Sequence, residues 1–158
     1  MLSPSRSAAI SLLVAACGPA SYPGGEPQRA EEAAPLAYAA ASDAARVAGS
    51  LTVQRAGLVF GNGVTLYTRQ LAPRSALDAV DVSGESFADV AGNYADAADL
   101  RRVIEQEGGR LCGAERPTYA ALLDSGGHVS VILFTGEAPP QADAPIGEVC
   151  AALAYTRP

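Results

Sequence analysis

Asp96-Ala97-Ala98-Asp99-Leu100-Arg101-Arg102-Val103-Ile104-Glu105-Gln106-Glu107-Gly108-Gly109 is the stretch whose reading decides the fold class of this 158-residue chain. Leu100, Val103 and Ile104 stand at i, i+3 and i+4 and share one face of a helix. Asp96 is a capping residue type at the amino end, and the glycine pair stops the helix. The competing reading is a strand over Leu100 to Ile104. Taken as a helix, the stretch sets helical structure among segments that read as sheet.

On the amino-terminal side, Leu51 to Arg55 alternates apolar and polar residues as a half-buried strand does. Leu58-Val59-Phe60 and Val64 to Arg69 flank Gly61-Asn62-Gly63, whose residues tolerate positive φ, and together they read as a β-hairpin. Between Gln70 and Tyr94 the pattern weakens. Pro73 breaks any continuing strand, Ser75 to Val80 suits one helical turn, and Ser86 can cap a short helix over Phe87 to Ala91 that Gly92 ends. On the carboxyl-terminal side, Thr118 to Asp124 and His128 to Phe134 flank Ser125-Gly126-Gly127 as a second hairpin. A loop over Gly136 to Ile146 carries Pro139, Pro140 and Pro145, and Glu148 to Thr156 reads as a last strand. The expected fold is a single α+β domain over residues 47–158, a small antiparallel sheet of five or six strands with one or two short helices and one disulfide.

The first residues carry an address. Arg6 gives a basic start, Ser7 to Ala16 is a run of small or apolar residues, and the run is too short for a bilayer span, which needs about 20 residues. Val14-Ala15-Ala16-Cys17 resembles the lipobox of bacterial lipoproteins. The resemblance implies a signal peptide over residues 1–16, cleavage between Ala16 and Cys17, a diacylglycerol in thioether linkage on Cys17, and anchorage of the mature chain to a membrane through acyl chains such as palmitate. Multiple acyl chains hold a protein stably where one is marginal. The competing reading is an ordinary signal peptide cut elsewhere. Gly18 follows the cysteine where an Asp would by resemblance retain the protein at the inner membrane, so the expected place is the outer membrane, facing the periplasm. The mature chain resembles the small envelope lipoproteins of high-GC Gram-negative bacteria.

The chain has three cysteines, and assigning Cys17 to lipid leaves Cys112 and Cys150, which an oxidising compartment pairs most simply as a disulfide. From Gly18 to about Ala45 the proline, glycine and alanine content offers too little apolar surface to offset the entropy of ordering, so residues 17–46 read as a lipidated cysteine and flexible tether. Around Ala30 to Ala45 a transient alanine-rich helix is compatible, with Pro35 interrupting it. The chain has no lysine, and beyond Arg6 ten arginines face seventeen acidic residues, a mature net charge of about −7. That charge repels nucleic acid and anionic head groups.

Catalytic signals are weak. His128 is the one imidazole, no carboxylates stand at zinc-ligand spacing with it, and neither a nucleophile elbow nor a Cys-x-x-Cys pair is present. Asp81, Glu85 and Asp89 cluster ahead of and within the short helix, where capping and helix-dipole roles compete with paired-carboxylate chemistry. No catalytic residue, metal or cofactor is expected. Ser83-Gly84-Glu85-Ser86-Phe87 resembles the Ser-Gly-x-x-Tyr loop of periplasmic inhibitors of c-type lysozyme, with Phe87 in place of Tyr and with both Cys112 and Cys150 after the loop instead of bracketing it. The resemblance implies an inhibitory role for Ser83, Gly84 and Phe87. The leading expectation is a non-enzymatic envelope lipoprotein that binds an envelope protein or cell-wall component, and the alternative is an inhibitor of a cell-wall hydrolase.

Overall fold

The structure, a computed structural model, describes residues 35–158. In chain order the elements are β1 (Leu36–Ala40), α1 (Asp43–Ala48), β2 (Leu51–Gln54), β3 (Gly57–Phe60), β4 (Thr65–Gln70), β5 (Arg74–Ser75), α2 (Phe87–Ala91), β6 (Ala97–Glu107), β7 (Tyr119–Asp124), β8 (His128–Phe134) and β9 (Val149–Thr156). Neighbouring strands run β4-β3-β2-β1-β9-β8-β7-β6, and β4 pairs again with β6. Eight antiparallel strands thus close into a barrel, with β5 pairing Arg74 and Ser75 to Ala98 and Ala97 of β6. Closure removes the free strand edges that an open sheet would expose.

The barrel overturns the expected α+β fold with a small sheet, and the difference turns on Asp96 to Gly109. The stretch is not a helix but the eleven-residue strand β6, paired to β4 on one side and β7 on the other. Tyr67 lies opposite Glu105 and Thr68 opposite Val103, so Ile104 has no partner and forms a bulge. Leu100 faces the outside of the barrel against α2 and its flanking loops, Val103 packs on the lumen core, and Ile104 is 62% exposed. Leu100 and Val103 fall on opposite faces by ordinary strand alternation, and Ile104 next to them is the unpaired extra residue, so their helical spacing marks no common face.

The domain also begins before position 47. Leu36, Ala37 and Tyr38 of β1 pair with Val53, Thr52 and Leu51, and Ala39 and Ala40 pair with Thr156 and Tyr155, so the first and last strands are neighbours. Tyr38 is buried in the lumen. Ala45 and Ala48 of α1 join the same core, small enough to let the helix backbone approach it. The Ser42 hydroxyl caps α1 by accepting from the Ala45 amide at 3.1 Å and also accepts from the Ala154 amide of β9 at 3.1 Å. The segment expected as tether and transient helix therefore contributes, from Leu36 onward, a strand and a helix cap of the barrel. The rest of the tether, the signal peptide and Cys17 lie outside the described residues. Ser75 to Val80 is not a helical turn either: Arg74 and Ser75 are a short strand followed by turns.

Other expectations hold. Both hairpins form, β3 with β4 and β7 with β8. α2 spans Phe87–Ala91 with Ser86 as its N-cap and Gly92 in the left-handed region at φ 58°. β9 closes the chain, and Cys112 and Cys150 form a disulfide with Cα atoms 5.2 Å apart.

Two cores share the barrel wall. Leu51, Leu58, Phe60, Leu66, Val131, Leu133 and Tyr155 are among the side chains filling the lumen, as eight strands allow. Arg101 shares that side, opposite Ala120. Its guanidinium donates to the Gln54 carbonyl at 3.0 Å and to the Asp99 carboxylate at 2.7 and 2.9 Å, so the charge enters the wall already paired. The second core lies outside the barrel, where Ala76, Val80, Phe87 and Ala88 cover Leu100, Ala121, Ile132 and Phe134. Phe87 meets Phe134 edge to face, ring centroids 6.1 Å apart and planes at 76°.

Candidate functional site

The end of α2 builds the wall of a cleft. Gly92 takes the left-handed conformation that ends the helix, and the Asn93 amide then donates back to the Ala88 carbonyl at 3.2 Å. That closure delivers the Asn93 side chain against the outside of the β7–β8 hairpin. Its Nδ2 donates to the Leu123 carbonyl at 3.0 Å, the His128 carbonyl at 3.2 Å and Ser130 Oγ at 3.4 Å. These three acceptors fix which end of the amide is nitrogen, since the reverse orientation would set oxygen against oxygen. Asn93 is buried, its residual exposure being 6%, and its Oδ1 has no protein donor. A buried acceptor left in that state costs about 1 to 3 kcal/mol.

Around Asn93 lies a cleft of about 380 Å³, lined also by Gly92, Tyr94, Ser125, His128 and Ser130, with Ala41 and Ala154 on the β1–β9 side. The size is within the range of small-molecule sites, roughly 300 to 1,000 Å³. Ser130 is held in place, its hydroxyl donating to the Ala91 carbonyl at 3.3 Å. Ser125 and His128 belong to the hairpin turn, where the Ser125 amide donates to the His128 carbonyl at 3.0 Å. Tyr94 stands at the rim with 82% of its surface exposed. No Asp, Glu or Arg lines the cleft, although the chain carries a net charge of −6.

The residues singled out in the sequence lie elsewhere, apart from His128. Ser83 and Gly84 are exposed at the tip of the loop between β5 and α2, while Phe87 is fully buried in the outer core. The tip is tied down: the Asp81 carboxylate accepts from the Ser83 amide and hydroxyl, the Gly84 amide donates to the Asp81 carbonyl, and the Val82 amide donates to the Ala144 carbonyl. Asp89 completes a capping box with Ser86. The Ser86 hydroxyl and amide both donate to the Asp89 carboxylate and hold its pKa below the ordinary value. Asp81 and Asp89 thus serve two separate turns and do not form a facing pair. Among the described residues no three His, Cys, Asp or Glu side chains converge as metal ligands. The Cys112–Cys150 disulfide joins the lumen core, fastening the β6–β7 loop to β9.

Asn93, Tyr94 and Ser130 escape a sequence reading because their arrangement depends on how the chain folds over the barrel wall. The Gly92 stop signal is readable; the surface it delivers Asn93 to is not. No protein-family model, curated protein or solved structure matches the chain.

Proposed function

We propose that the protein is an envelope lipoprotein, anchored through acyl chains on Cys17, whose barrel domain binds another envelope component without transforming it. The observation that carries this reading is Val14-Ala15-Ala16-Cys17 after a short basic and apolar leader. The disulfide between the other two cysteines supports it, because it leaves Cys17 without a partner in the chain. A packed lumen and carboxylates used as caps favour binding over catalysis. Gly18 in the place of a retaining Asp points to the outer membrane. Fractionation and intact mass analysis test the anchor. The wild-type chain is expected in the membrane fraction, lighter by residues 1–16 and heavier by acyl groups, and Cys17→Ser in the soluble fraction. An unprocessed Met1 terminus on the wild type removes the reading.

A second reading, inhibition of a cell-wall hydrolase, is favoured by the Ser83 loop, which is exposed at its tip and held by its own hydrogen bonds. Such a loop enters a cleft with little ordering cost. Purified protein is then expected to lower c-type lysozyme activity, and Ser83→Ala to restore it. Undiminished lysozyme activity with wild-type protein sets this reading aside.

A further inference from the structure

We propose that the barrel docks on the bilayer that holds its acyl anchor, presenting to an anionic lipid surface the end at which β1 enters and β9 leaves. This rests on the lipoprotein reading above and gives the anchored domain an orientation. Because neighbouring strands are antiparallel, successive connections alternate between the two ends of the barrel. Pro35, the Arg55-Ala56 turn between β2 and β3, the end of β4, the Ser125-Gly126-Gly127 turn and the carboxyl terminus share one end. The chain therefore runs from Cys17 into the barrel at that end. Arg157 stands beside the point of entry, its guanidinium 6.0 Å from the centroid of the Tyr38 ring.

Charge distinguishes the two ends. At the entry end Arg74 pairs with Asp78 and Arg101 with Asp99, and the Asp124 carboxylate accepts from the Gly126 and Gly127 amides. Arg55, Arg69 and Arg157 remain exposed there without an ion pair among the described residues, and Asp96 is the one further described carboxylate at that end. The opposite end, residues 41–50, 105–118 and 135–148, carries seven acidic residues and three arginines. β8 spans seven residues, roughly 18 Å along the barrel axis at a strand tilt of about 40°. That is about two Debye lengths at physiological salt, so each end meets a charged surface largely by itself. The entry end is thus drawn to the anionic lipid that the acidic end repels. Leu36, Leu77 and Tyr94 are exposed at the entry end, Leu77 just after β5 and Tyr94 beside the turn between β7 and β8. A tyrosine ring, with an apolar body and a polar tip, suits the boundary between head groups and acyl chains. Val47 and Ile146 are exposed at the acidic end, so the orientation is chosen by charge and by the point of entry.

Hydrogen exchange read by mass spectrometry tests the orientation. The protein purified from membranes is placed in vesicles of phosphatidylcholine alone, and in vesicles of phosphatidylcholine and phosphatidylglycerol in equal parts. One arginine near an anionic leaflet shifts a binding equilibrium about fivefold. Amides of residues 55–57, 94–97 and 125–128 are therefore expected to exchange about fivefold or more slowly in the mixed vesicles, while those of residues 43–49 and 137–147 keep their rates. The triple variant Arg55→Gln, Arg69→Gln, Arg157→Gln is expected to return the first group to its rate on phosphatidylcholine. Its circular dichroism and disulfide should not change, because the three side chains are exposed and unpaired among the described residues. Should the variant misfold, raised salt on the wild type decides, since screening removes an attraction led by charge. Equal rates in the two vesicles, slowing at the acidic end, or slowing that survives both the variant and salt overturns the proposal. Intact mass and vesicle flotation of the same sample report the anchor. Protein without acyl groups breaks the lipoprotein reading, whereas acylated protein whose entry end exchanges alike in both vesicles breaks the docking alone.

Discussion

The two halves of the barrel wall are built on different rules. Strands β2, β3 and β4 bury one face: Leu51, Leu58, Phe60 and Leu66 point into the lumen while Tyr67 and Arg69 are exposed. Strands β7 and β8 bury both, Ala120, Leu122, Val131 and Leu133 inward and Ala121, Leu123, Ile132 and Phe134 outward beneath α2 and its loops. The first half reads as alternation and the second as continuous apolar runs. The outer layer thus turns one side of a small barrel into a two-core structure. It also carries the candidate site, because Asn93 and Tyr94 follow the helix that covers β8.

If the outer core stabilises the domain as the lumen does, Phe87→Ala has the largest single effect. A fully buried phenylalanine replaced by alanine costs about 3 to 5 kcal/mol. Urea unfolding followed by circular dichroism measures it. A loss under about 1 kcal/mol, in the range of surface changes, would mean that the outer layer merely drapes over a self-sufficient barrel. Next in size is the disulfide, which belongs to the lumen side. Closing a separation of 38 residues is worth roughly 3 to 4 kcal/mol on the chain-entropy estimate. The double variant Cys112→Ala, Cys150→Ala is expected to lose that amount and remain folded. Unchanged stability would show that the pairing of β8 with β9 already restrains the β6–β7 loop.

The same contrast explains how much of the molecule is legible in the sequence. Hairpins announce themselves locally: Gly61-Asn62-Gly63 and Ser125-Gly126-Gly127 sit between β-rich runs, and both form as expected. Ser86 and Gly92 mark the ends of α2 because a cap and a left-handed stop are chemistry of single residues. Barrel closure is a long-range event, decided where β4 meets β6, and nothing in either strand marks the partner. β6 in addition serves two environments and carries a bulge, so its apolar residues lose the period of two. β1 stays hidden for the opposite reason, its alanines giving little hydrophobic signal around Tyr38. The candidate site needs both the stop at Gly92 and the outward face of β8, and only the first is local.

A smaller effect isolates the cap that holds the outer layer's helix. Ser86→Ala removes the capping box and is expected to cost about 1 kcal/mol. It also carries a pH signature. The folded-state pKa of Asp89 is depressed, so its stabilising contribution is present above the ordinary value of 3.8 and is lost as pH falls through the folded value. Wild-type stability therefore declines through this window by more than that of Ser86→Ala, and the gap between the two narrows in acid. A gap that stays constant from neutral pH to about pH 3, checked by urea titration at each pH, would remove Asp89 from the account.

The smallest expected effect, that of Ile104→Ala, is the sharpest test of the fold when it is set beside Leu100→Ala. Ile104 and Leu100 are four residues apart, and on a helix they would lie on one face with similar burial. In β6 their surroundings differ: Leu100 is 3% exposed in the outer core, and Ile104, the unpaired bulge residue outside that core, is 62% exposed. Leu100→Ala is therefore expected to cost about 2 to 5 kcal/mol, and Ile104→Ala no more than about 0.5 kcal/mol. The ratio matters more than either value, because both changes remove branched apolar side chains from one strand and differ mainly in what those side chains touch. Comparable losses at the two positions, measured by urea unfolding, would place them on a common buried face, restoring the helical reading of Asp96 to Gly109 and with it an open sheet in which β4 and β6 do not meet.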